Sequence, residues 1–180
     1  MLHRDSDDSV LWFQSHGGPL LLLDRQWLPA WRGYPDPALP YDTPGTDYAR
    51  ACAIEEPIGY LAIDPGAGLV LGDEPMATAW WPDPSLCGGV IMRWRWANDE
   101  AACHAALSHL SLLAWSGVTH SLPVPTGHAV IFDAAYSGER IEASLKLELV
   151  PRIYGIDTAE YAPDEETALL LHRLTLRSVG

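Results

Sequence analysis

Gly89-Val90-Ile91-Met92-Arg93-Trp94-Arg95-Trp96-Ala97 is the stretch whose pattern decides the fold. Its residues alternate with a period of two. Val90, Met92, Trp94 and Trp96 fall on one side, and Ile91, Arg93 and Arg95 on the other, the signature of a strand. β-Branched and aromatic side chains suit a pleated surface. The pattern then changes period. From about Asp99 to Trp115, Cys103, Ala106, Leu107, Leu110, Leu113 and Ala114 form a stripe at helical spacing. Asn98 or Asp99 can cap this helix, acids occupy its first turn, and Gly117 follows its end.

Outward from this pair, most of the apolar signal is strand-like. Val10–Gln14 and Leu20–Asp24 are short runs separated by the turn His16-Gly17-Gly18-Pro19. Gln26–Arg32 reads as a helical turn, and Gly33–Gly45, with Pro35, Pro37, Pro40 and Pro44, as a loop. Asp47–Ile54 fits a short helix or a strand. Gly59–Asp64 and Leu69–Gly72 flank Pro65-Gly66-Ala67-Gly68 as a hairpin. Met76–Trp81, Gly127–Asp133, Glu142–Val150 and Leu169–Arg177 supply further strands, with the acidic segment before Leu169 read as a loop. No repeat or linker divides the chain. The expectation is an α+β fold, mostly antiparallel, with one long helix (about 99–115) packed on a face of the sheet. Residues 1–9 are read as a flexible N-terminus and residues 10–180 as one domain.

The 180 residues carry 24 acids and 11 bases, a net charge of −13. With 48% hydrophobic and only 19% charged residues, the composition is that of a folded protein with a real core. So acidic a chain is poorly suited to nucleic acid backbones or anionic membranes, which attract clustered Lys and Arg. The acidity is local: Asp36 to Asp83 holds nine acids against Arg50, and Asp157 to Glu166 holds five acids and no base. Such runs read as solvated loops or as a face that draws a basic partner. Cys52, Cys87 and Cys103 are an odd set without a CxxC pair, which fits reduced thiols. Without a secretory signal in Met1–Ser9, the expected location is the cytoplasm.

Catalytic and cofactor patterns fail on their own mechanics. Gly66-Ala67-Gly68 with Gly72 misplaces the third glycine of a dinucleotide loop and runs on as strand. His104 and His109 are five apart, so a helix puts them on different faces, unlike a zinc pair. Cys103 and His104 are adjacent and diverge by about 100° on a helix. No GxSxG elbow holds a serine. The expectation is no catalytic residue, no cofactor and no metal.

Eight tryptophans are the more unusual feature. Trp80 and Trp81 are adjacent in a strand and so face opposite ways, which can leave one ring exposed beside acids, as an interface anchor. The order of segments is also distinctive. Trp12-Phe13-Gln14-Ser15, Gly17-Gly18-Pro19-Leu20 and Trp31-Arg32-Gly33 come first. Asp47-Tyr48-Ala49-Arg50-Ala51-Cys52, Leu71-Gly72-Asp73-Glu74-Pro75 and Thr78-Ala79-Trp80 follow. In this ordered set, from Trp12 to about Arg177, the chain resembles immunity protein family 21 of the bacterial polymorphic-toxin systems. The resemblance implies a cytosolic, non-catalytic antidote whose partner is a cognate toxin domain, expected to be basic. The acids Asp73 and Glu74 with Trp80 and Trp81 are the expected contacts. A ligand or scaffold module with a Trp-lined sheet face is the alternative, and a small hydrolase a weaker one. A neighbouring reading frame encoding a secreted toxin separates the first reading from the others.

Overall fold

Leu20-Leu21-Leu22-Leu23-Asp24 is buried at every position, which an alternating half-exposed strand never is. Both faces of the sheet around it must therefore be covered. The computed structural model describes residues 10–34, 36, 38–72 and 76–177, and it shows how. β1 (Leu20–Asp24), β2 (Gly59–Ile63) and β3 (Gly66–Leu71) join β7 (His128–Asp133) and β8 (Leu145–Glu148) in one antiparallel sheet, in the order β2-β3-β1-β7-β8. A second antiparallel sheet has the order β4-β5-β10-β9-β6, from β4 (Ala77–Asp83), β5 (Gly88–Trp96), β6 (His120–Val124), β9 (Arg152–Asp164) and β10 (Thr167–Leu176).

The sheets pack face to face. Leu20, Leu22, Leu69 and Leu71 of the first meet Ile91, Tyr154, Ile156 and Leu174 of the second. Leu21, Leu23, Val70 and Phe132 point the other way, under a 3-10 turn (Arg25–Ala30), Trp31 and α1 (Asp47–Cys52). The outer face of the second sheet places Val90, Met92, Leu169 and Leu171 against Cys103 and Ala106 of α2 (Glu100–Ser108). The result is α+β, two antiparallel sheets with helical cover on both outer faces.

Several expected elements change. The helix expected over 99–115 stops at Ser108, and Leu110–Leu112 is a 3-10 turn. Tertiary bonds win there. Trp115 Nε1 donates to the Leu110 carbonyl, Ser116 N donates to the Thr158 carbonyl, and the chain drops onto the sheet as β6. β6 itself contains Pro123, yet it forms because an edge strand tolerates a missing N–H. Val10–Gln14 is not a strand; only Phe13 bridges Thr78. The expected loop 157–166 is mostly β9, because its acids meet cations across the sheet. Asp157 accepts from Arg173 at 3.1 and 2.5 Å, and Glu160 pairs with Arg95 at 3.1 Å.

Candidate partner-binding surface

The end of the second sheet is built from β5, the β9–β10 turn and the start of α2. The strand register sets its geometry. Trp94 pairs with Leu169, but Trp96 pairs with Ala168, so β5 holds one extra residue at Arg95. A bulge of this kind breaks the period-two alternation. Trp94 keeps to the covered face, edge-on to Trp12 at 5.1 Å between centroids. Trp96 belongs to no core cluster and remains 53% exposed. Simple alternation places the two rings on one face; the bulge separates them.

Acids lie on the segments that adjoin this strand end. The β9–β10 turn supplies Asp164, Glu165 and Glu166, all exposed. Glu166 is tied to the β5–α2 connection by Asn98 Nδ2, which donates to its carboxylate at 3.1 Å. Asp164 accepts from the Glu166 amide at 3.0 Å, which fixes the turn. Asp99 caps α2 by accepting from Ala101 N, and Glu100 accepts from Trp12 Nε1 at 2.9 Å. Glu160 lies on β9, two strands from β5 with β10 between, and is held by Arg95. The backbone geometry that gathers these acids is thus itself anchored by them.

Asp73 and Glu74 lie outside the described residues. Trp80 and Trp81 face opposite ways, as adjacent strand residues must, and both are half-buried. Trp80 packs toward the inter-sheet core, so close to Gly89 that an added Cβ there would lie 2.6 Å from its ring. Trp81 stands edge-on to His104, centroids 5.4 Å apart. The sequence signal that marks Trp96 was present in the same strand: it is the last bulky residue before the polar Asn98-Asp99-Glu100. Alternation alone conceals its exposure.

Nucleophile chemistry is poorly served elsewhere. Cys103 is buried on the sheet-facing side of α2; burial foremost, with Glu100 and Asp99 adding, pushes its thiol up to about 11. His172 sits fully buried in β10, its Nδ1 2.9 Å from Thr158 Oγ1, and burial followed by Arg93 pushes it down to about 3. His104 and His109 are engaged with Trp81 and Tyr161. Among the described residues, no group of three or more His, Cys, Asp or Glu could hold a metal ion.

A family model decides the affiliation. The model described as Immunity protein 21 matches residues 11–167, most of the chain. The chain belongs to the immunity protein 21 family. No curated protein and no solved structure matches it. The immunity protein 21 match spans Trp96, α2 and the acidic β9–β10 turn, and it ends at Thr167, where β10 begins. No helix among the described residues is long and apolar enough to cross a membrane.

Proposed function

We propose that this immunity protein is a non-catalytic antidote, which binds a cognate toxin domain made by the same bacterium and neutralises it stoichiometrically. The reading takes residues 10–180 as one domain acting in the cytoplasm, without cofactor. The observation that carries it is the 53% exposed Trp96 at the end of β5, a strand end to which Asn98 ties the exposed acidic turn Asp164–Glu166 through Glu166. A large aromatic anchor in a charged rim is the anatomy of a protein-binding hot spot. Clustered acids on a chain of net charge −13 favour a basic partner and speed its approach.

Asp73 and Glu74 enter the same proposal. The described residues on either side of them lead to this end of the second sheet. Gly72 O accepts from Arg93 Nη1 at 2.6 Å, and Ala77 pairs with Trp94. Trp80 and Trp81, both half-buried on β4, enter it as further contacts beside the Trp96 anchor. The test is to express the toxin domain encoded beside this gene, mix the two purified proteins, and follow the toxin's own activity. Loss of that activity at one equivalent supports the antidote. Full toxin activity in excess antidote, without a complex on a sizing column, rejects it.

A further inference from the structure

A cavity of about 500 Å3 opens between the His16–Pro19 turn, the loop carrying Tyr41, and α1. Its floor is the carboxylate of Asp133, which is only 4% exposed. Backbone amides hold that carboxylate in place: His16 N donates to Oδ2 and Ala135 N to Oδ1, each at 2.9 Å. Both donors are neutral, and among the described residues no cationic side chain forms a salt bridge with Asp133. A carboxylate has about four lone-pair sites, so two of them remain for a ligand.

The walls are aromatic. Tyr48 lies against the turn so closely that a Cβ on Gly18 would stand 2.2 Å from its hydroxyl, so a larger residue there would push the ring aside. Burial above all, then Cys52 and Asp133, pushes Tyr48 upward. Burial pushes Cys52 upward too, with Asp133 adding to it, so the thiol is protonated at neutral pH and a poor nucleophile. The negative charge of Asp133 is thus felt across the cavity. Tyr41 stands at the mouth, 65% exposed.

We infer that this cavity is a socket for an arginine side chain of the bound partner, with the guanidinium on the Asp133 carboxylate and stacked against Tyr41 and Tyr48. A planar cation that accepts both carboxylate pairing and aromatic stacking is the chemistry these groups match. An anion is repelled by the buried charge, and a neutral group leaves it unpaired. The inference rests on the antidote reading for its source of arginine, and it adds a second contact region lined by none of the residues named around Trp96.

The test needs no toxin. The 15N-labelled protein is titrated with acetyl-Gly-Arg-Gly-amide and, separately, with the same peptide carrying citrulline, which keeps the shape and loses the charge. Saturable shifts of the His16, Gly17, Cys52 and Ala135 amides with the arginine peptide alone are expected. Tyr41→Ala, which removes an exposed ring and leaves the core untouched, weakens that binding about fivefold. Asp133→Asn abolishes it; because Asp133 also holds two amides, the Tyr41→Ala and citrulline arms decide if that variant fails to fold. Equal shifts with both peptides, shifts only around Trp96, or no effect of Tyr41→Ala overturn the socket. A peptide that fails while the toxin still binds refutes the socket alone. A peptide that binds while the toxin does not refutes the antidote reading and leaves the socket standing.

Discussion

Replacing Trp96 by alanine separates the roles of the eight tryptophans. A Trp side chain offers up to roughly 250 Å2 for burial. With 53% of Trp96 exposed, roughly 130 Å2 is left for a partner to cover. At about 25 cal/mol per Å2 this area is worth about 3 kcal/mol, or roughly a hundredfold in Kd. Interface truncations act mainly on dissociation. Surface plasmon resonance on the toxin complex should therefore show Trp96→Ala leaving much faster, with association almost unchanged. Its stability should stay within about 0.5 kcal/mol of the parent, because the ring packs in no core cluster. Trp94→Ala is the contrast. That ring packs on Trp12 and the α2 cluster, so its loss lowers the melting temperature. An unchanged dissociation rate in Trp96→Ala would refute the anchor, and a melting temperature that falls as far as that of Trp94→Ala would show the ring to be structural.

Other consequences concern the fold. His172 is neutral in the folded protein, with its pKa depressed to about 3, while the unfolded chain titrates near 6.5. Its contribution is therefore complete above pH 6.5 and is lost as pH falls from there toward 3. Urea melts at about pH 7.5 and about pH 5 should differ by about 2 kcal/mol more in the parent than in His172→Leu; parallel curves would show that His172 is not the cause. Asp157→Ala strips the partner from Arg173, which lies 4.1 Å over the Trp115 ring, and should cost about 2 kcal/mol. Calorimetry and Trp115 fluorescence follow it, and an unaltered melt would mean that the pair contributes nothing net.

How much of this was legible in the sequence depends on which force shapes each element. β1 and β5 were clear because their apolar runs and alternation reflect burial directly, whereas the first half of β3, Gly66-Ala67-Gly68, was expected as a turn and is strand paired with β2. The face-to-face pairing of two sheets was not, since no local pattern records which strand a distant segment will join. β9 was hidden by its acids. Asp157 and Glu160 look like loop residues until Arg173 and Arg95 are placed opposite them, and those partners come from β10 and β5. β6 was hidden by Pro123, harmless only because the strand lies at an edge. α2 was overextended since Leu110 and Leu113 keep the helical stripe after the backbone has left the helix. At the candidate surface, the clustering of acids was visible, but alternation put Trp96 on the same side as Trp94. A one-residue bulge at Arg95 leaves no trace in periodicity.

The most direct test of the acidic Trp96 surface is the association rate with the toxin domain. The parent and the double variant Glu165→Gln, Glu166→Gln are compared by stopped flow at roughly 50 and roughly 200 mM salt. Gln at 166 can still accept from Asn98, so the turn is kept while two charges are removed. The account predicts that the parent associates several-fold faster at low salt, and that the variant is slower with a flatter salt dependence. Identical rates and identical salt dependence in the two proteins would contradict it.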